Sequence, residues 1–269
     1  MRYIPLDVAR VIYMPNRKIY LLSLTLAEET KPIGFIVSKL NEINADIITI
    51  YGYCMNGAGH LSIIVDLTKA DADISKLIDI LRKLKDVTHV GYVEPEEQGL
   101  LIDKYHFPIT HGGGRAVLFD MNTLYSMFDE IKRQWGSAGE AFIYYLGNIG
   151  GKGFAQHFTN KYKELGFQKI YKIMRDTIQA YGFCIMDKIE QIGDEYLIRV
   201  KELFECKPVE GKRTEPNSHF FRGFISGIAS ILLGREMLAE EVKCIAKGDE
   251  YCEFIIRERK WRKKKSKDK

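Results

Sequence analysis

Between residues 18 and 95 the hydrophobic pattern alternates between strand and helix periods, and the order of the alternation leaves few folds open. Residues 18–27, KIYLLSLTLA, read as a strand. From Pro32 onward, apolar side chains fall at Ile33, Ile36, Val37, Leu40 and Ile43, the spacing of one helix face. ADIITIYGYC (45–54) and GHLSIIVDLT (59–68) are two β-rich runs separated by a turn at Asn56-Gly57, as in a hairpin. Asp73 is placed to cap a second helix whose buried stripe is Ile74, Leu77, Ile78, Ile80, Leu81 and Leu84. A last strand, VTHVGYVEP (87–95), ends at Pro95. The order β-α-β-β-α-β predicts a ferredoxin-like domain, with two helices covering one face of the sheet.

This segment, about residues 15–97, resembles ACT domains, small regulatory modules that pair through their sheets and often bind amino acids. ADIITI is similar to their second-strand run. The Pro-Gly that ACT domains place at the first strand-to-helix turn is replaced by Thr30-Lys31. That glycine lets the backbone approach an effector. Its replacement makes a dimerisation or structural role as good a reading as effector binding. The domain is assigned to residues 1–97.

Residues 94–114, EPEEQGLLIDKYHFPITHGGG, mix acids, Pro108 and a triple glycine, so 98–114 reads as a linker. Beyond it a second domain is expected over 115–258. It begins with a short strand, RAVLF (115–119), followed by helices around 121–135, 137–163 and 167–181. Strands at 183–192 and 194–206, a helix at 217–233, and strands at 237–247 and 250–258 complete it. The class is α+β, with helices packed on an antiparallel sheet.

Within the second domain, Cys244 and Cys252 lie symmetrically about Gly248-Asp249. On the two arms of a tight hairpin they would sit opposite each other, with Cβ atoms about 4.5–5.5 Å apart. Such a pair can remain two small core hydrophobes, close a disulfide, or give two sulfurs to a tetrahedral zinc. The pattern Glu241-x-x-Cys244-x-Ala246-x-Gly248-Asp249-x-x-Cys252-x-Phe254, preceded by the glycine-punctuated helix Phe221 to Gly227, resembles the 4-vinyl reductase domain, across about residues 115–257. That resemblance implies a small-molecule sensing pocket, related to the input domains of aromatic-responsive transcription activators. It also implies a structural zinc held by one Glu and three Cys, of which Glu241, Cys244 and Cys252 match three. Where the fourth cysteine stands in those sensors, two residues beyond a Glu-Pro, this chain has Ser218. A serine hydroxyl is a poor zinc ligand, which leaves His219, beside the matching position, or Cys206 as the fourth ligand, or leaves the site empty.

The pocket is expected from the first helices of this domain, where aromatics are dense. Trp135, Phe142, Tyr145 and His157 are the candidates for its lining, suited to an aromatic or lipid-like ligand. Gly147-x-x-Gly150-Gly151-x-Gly153 lacks the Lys-Ser/Thr of a phosphate loop and sits inside an apolar helical pattern, so close helix packing explains it better. No His-x-x-x-His pair and no Gly-x-Ser-x-Gly elbow occurs, and no catalytic residue or organic cofactor is assigned.

The 269 residues carry a net charge of +4, but residues 257–269 hold nine Lys or Arg against two acids. The body is therefore mildly acidic and unsuited to a nucleic-acid groove, and the basic tail, 259–269, is the one electrostatic candidate for nucleic acid. Five scattered cysteines, no apolar run of about 18 residues and no basic-then-apolar leader point to a reduced, cytoplasmic protein without a membrane span. Abundant Lys, Glu and Ile fit a thermophile. The expectation is a homodimeric ligand sensor, acting in transcription control through a protein or DNA partner. The alternatives from other classes are a tetrapyrrole-related reductase or assembly factor, and a structural adaptor.

Overall fold

The computed structural model describes residues 3–27, 33–55, 57–112 and 114–259. Thr30-Lys31, Asn56 and the basic tail beyond Arg259 lie outside the described residues. The chain divides into two compact units, Met1–Val117 and Leu118–Lys269.

The first unit contains β1 (Val11–Tyr13), β2 (Ile19–Leu26), α1 (Ile33–Glu42), β3 (Asp46–Met55), β4 (Ala58–Asp66), α2 (Ile74–Arg82) and β5 (Val87–Val93). It closes with three short strands, β6 (Leu100–Ile102), β7 (Thr110–His111) and β8 (Gly114–Arg115). The main sheet is antiparallel in the order β3-β4-β2-β5, which is the ferredoxin-like arrangement expected from the sequence. Strand alternation sends Leu22, Leu24, Leu61 and Ile63 to one face, where they meet Ile36 and Leu40 of α1 and Leu77 and Leu81 of α2. Asp73 caps α2, its Oδ1 accepting from Lys76 N at 2.8 Å. The other face is apolar at Ile19, Leu21, Ile64 and Val93, and Leu101 of β6 is buried against it. The segment expected to be a linker, 98–114, is therefore part of this unit: β6 pairs with β1 and closes that face. Pro108 and the glycines hid the short Leu100-Leu101 anchor.

The second unit contains α3 (Met121–Lys161), α4 (Phe167–Ala180), β9 (Ile185–Ile192), β10 (Glu195–Lys201), α5 (His219–Leu233), β11 (Met237–Lys243) and β12 (Cys252–Glu258). Its sheet runs β11-β12-β10-β9, antiparallel throughout. RAVLF does not form the expected strand. Only Arg115 pairs, in β8, and Val117, Leu118 and Phe119 are exposed, with no neighbouring strand to bury them. Asp120 caps α3 by accepting from Thr123 N at 3.0 Å. The helix breaks at Gly136 (φ 52°, ψ −132°), a backbone state that a side chain would not tolerate. Glycines also set how α3 meets α5. A Cβ at Gly147 would lie 2.0 Å from Phe220 O, and one at Gly223 would lie 2.0 Å from Tyr144 O. Gly151 and Gly227 make the same approach one turn on, so the two backbones touch along two turns.

Candidate functional site

Two features of the second unit carry chemistry, and the same three elements connect them. The first is a knot at the ends of β10, β11 and β12. Cys206, Glu241, Cys244 and Cys252 are all buried and each offers a ligand atom, every one within 4.8 Å of the others. Cys206 Sγ and Cys244 Sγ are 3.5 Å apart, close to the roughly 3.8 Å that tetrahedral geometry with 2.3 Å metal–sulfur bonds requires. All five cysteines are free thiols. Cys244 and Cys252 lie one step beyond the last β11–β12 pair, Lys243 with Glu253. The connection is not a tight hairpin: residues 245–247 form a 3-10 turn, and Cys244 N donates to Asp249 Oδ2 at 2.8 Å.

The electrostatics of the knot are those of charge shared among crowded groups. Cys206 and its neighbour Cys252 hydrogen-bond to Cys244 and push its thiol down to about 2, while Cys206 goes up as its sulfur keeps the proton between the other two. Burial pushes Glu241 up to about 9. Glu241 Oε2 accepts from Ser218 N at 3.2 Å and Ser218 Oγ at 2.5 Å, leaving Oε1 buried with no hydrogen-bond partner. Ser218 is thus not a failed ligand; it orients the carboxylate. Three sulfurs, one orphaned carboxylate oxygen and full burial fit a divalent cation that takes soft ligands.

His219, expected beside the matching position, is not in this group. Its ring faces Arg222 Nη2 at 3.4 Å and Glu140 at 3.7 Å, and burial lowers it to about 4. It is the first residue of α5, so its side chain leaves on the far side of that turn from Ser218. The loop that brings Cys206 in is held by polar contacts: Asn217 Nδ2 donates to Glu205 O at 2.8 Å, and Lys132 Nζ donates to Asn217 Oδ1 at 2.8 Å. Glu205 accepts from Phe220 N and Phe221 N at 2.9 and 2.8 Å, capping α5 from the residue next to the cysteine. Burial raises Glu205 to about 7.

The second feature is a cavity of about 380 Å³ between α4, α5 and the sheet. Its floor is Ile198 and Ile256, its walls include Met174, Ile178, Ile225 and Ala229, and exposed Phe167, Gln168 and Gln191 mark the rim. Residues 167, 171, 174 and 178 follow one face of α4, which sequence spacing alone could have flagged. None of the four lining residues expected from the sequence is here. Trp135, Phe142 and Tyr145 are 61%, 48% and 59% exposed, and His157 is exposed as well. The buried stripe of α3 is Gly139, Ile143, Gly147, Gly151, Ala155 and Phe158, a four-residue repeat spent on α5, and it turns the large aromatics outward.

Comparison with known proteins then bears on the unit that holds both features. The family model of the 4-vinyl reductase domain matches residues 197–258, which include β10, the knot and all of β12. The second unit carries a 4-vinyl reductase domain. The matched segment thus includes each of the four knot residues, Cys206, Glu241, Cys244 and Cys252. The uncharacterized protein MJ0150 of Methanocaldococcus jannaschii is 31% identical over 123 residues, 45% of this chain and 66% of the relative, just under two thirds of its length. The phenol-responsive sensory domain of the transcription activator PoxR, solved with phenol, is similar over 54% of this chain and 78% of its own, at 15% identity and a TM-score of 0.48. For the first unit, the ACT domain of the GTP pyrophosphokinase of Chlorobium tepidum is similar over 29% of this chain and 99% of its own, at 17% identity and a TM-score of 0.26.

Proposed function

We propose that the 4-vinyl reductase unit is a sensor: a small, largely apolar molecule occupies the cavity between α4 and α5, and its presence is passed to a second copy of the chain through α3. The observation that carries this reading is the cavity itself. It falls within the range of ligand pockets, about 300–1,000 Å³, and mostly apolar walls surround a few polar groups. Zinc at Cys206, Glu241, Cys244 and Cys252 would crosslink three chain segments and fix the frame without taking part in chemistry.

The frame connects knot to cavity directly. Cys252, Phe254 and Ile256 are buried on one face of β12, so the strand runs from the knot to the cavity floor in about 13 Å. β10 and the loop after it do the same between Ile198 and Cys206, and α5 starts at the knot and presents Ile225, Ile228 and Ala229 to the cavity. Binding can bias a dimer only through different affinity for its two arrangements. The exposed residues Trp135, Phe142 and Ile149 repeat every seven positions along α3, the spacing of a helix–helix seam, and Leu146 lies between them.

Filling the cavity tests the reading. Ala229→Trp places an indole between α5 and α4, and the neutral dye Nile red then loses its blue-shifted emission with the variant while keeping it with wild type. Equal dye binding by both proteins would overturn the assignment.

A further inference from the structure

The cavity is apolar but not electrically neutral. Arg175 is the one formally charged side chain on its lining, and no Asp, Glu or Lys joins it. One helical turn before it on α4, Tyr171 also lines the cavity, and its hydroxyl is buried with no hydrogen-bond partner. Leaving such a donor unpaired costs about 1–3 kcal/mol, so a ligand that supplies an acceptor there recovers a definite advantage. Burial holds the phenol up at about 12, which keeps it a donor across the neutral range. Arg175 is already drawn to its neighbour, Nε and Nη2 donating to Asp176 Oδ1 at 2.9 and 2.7 Å, but that pair is solvent-facing and leaves Nη1 without a hydrogen bond among the described residues. A planar guanidinium beside a phenolic donor matches a carboxylate.

We infer that the cavity takes an amphipathic carboxylate, with an aliphatic or aromatic body lying between α4, α5 and the sheet and the carboxylate between Tyr171 Oη and Arg175. This deepens the sensor reading and depends on it. The apolar walls at Met174, Ile178, Ile198, Ile225 and Ile256 accept a straight chain or a single ring equally well, so the head group is the selective part. A buried carboxylate without both partners would be expelled by its own desolvation cost.

The test compares 4-phenylbutyrate, octanoate and the neutral 4-phenylbutanamide as displacers of Nile red from the full chain at pH 7.5. Both acids are expected to displace the dye at least about tenfold more tightly than the amide, the size of one charge-assisted hydrogen bond. Arg175→Gln removes that preference, and Tyr171→Phe weakens the acids while leaving the amide within about threefold. Both variants keep the wild-type melting temperature, because Arg175 reaches only Asp176 and the Tyr171 hydroxyl has no protein partner to lose. A preference for octanoate over 4-phenylbutyrate would assign a fatty acid as the source, and the reverse an aromatic acid. Displacement by the amide as strong as by the acids, or a preference that survives Arg175→Gln, overturns the inference while the cavity reading stands. Failure of the dye itself to bind wild type overturns both.

Discussion

Substituting alanine for Gly147 tests the frame that shapes the cavity. The added Cβ would stand 2.0 Å from Phe220 O, against about 3.5 Å for an ordinary contact, so α3 and α5 must separate by about 1.5 Å. The obstacle is backbone on both sides, with no flexible side chain to move aside. Overpacking of this kind costs about 1–3 kcal/mol or more, while alanine regains about 1 kcal/mol of helix propensity. Gly153 is the control: it lies in the same helix, and a Cβ there meets nothing within 4 Å. Gly153→Ala is therefore expected to stabilise by up to about 1 kcal/mol, and the two variants to differ by roughly 3 kcal/mol. For a unit of this size that corresponds to a gap of about 6–12 °C in melting temperature. Both tryptophans, Trp135 and Trp261, belong to the second unit, so fluorescence-detected melting reads that unit alone. Equal shifts of the same sign for Gly147→Ala and Gly153→Ala would refute backbone contact between the helices.

Further expectations concern the knot and its surroundings. Protein purified without chelator is predicted to carry one zinc per chain by elemental analysis; Cys206→Ser and Cys244→Ser abolish it and His219→Gln leaves it intact, whereas zinc lost with His219 but kept without Cys206 would reverse the ligand assignment. His219 is lowered to about 4 by burial, so its stabilising contribution is complete above its unfolded value near 6.5 and disappears as the pH falls toward 4. At pH 5 this amounts to at most about 2 kcal/mol, seen as a smaller loss of urea stability between pH 7 and pH 5 in His219→Gln than in wild type. An identical pH dependence in both proteins would show that the imidazole is not kept neutral by the fold. Charge on the α3 face, as Phe142→Glu with Ile149→Glu, is expected to convert dimer to monomer in sedimentation velocity, and an unaltered sedimentation coefficient would exclude that face as the seam.

The first unit could be read from periodicity because its six main elements each bury one face, and a two- or 3.6-residue repeat reports that directly. Its second closed face could not, since β6 is three residues long and only Leu101 carries the packing. At the knot, the fixed spacing of Glu241, Cys244 and Cys252 showed in the chain, whereas Cys206 comes from a loop whose path depends on Asn217 and Glu205, which no local pattern encodes. The cavity escaped for a different reason. Aromatic density on α3 looked like a lining, but glycines at Gly147, Gly151, Gly223 and Gly227 commit the opposite face of that helix to α5 and turn the aromatics to solvent. Tyr171 and Met174, on a plainer helix, took the role instead.

The central claim, that ligand enters between α4, α5 and the sheet, is tested most directly by methyl spectra of the methionine-labelled chain. Met174 and Met186 line the cavity, while Met127 is exposed on α3 and Met237 is buried in β11. Titration with 4-phenylbutyrate is predicted to shift the resonances of Met174 and Met186, identified by Met→Leu variants, and to leave those of Met127 and Met237 in place. Saturable shifts at Met127 with Met174 and Met186 unmoved would contradict the account.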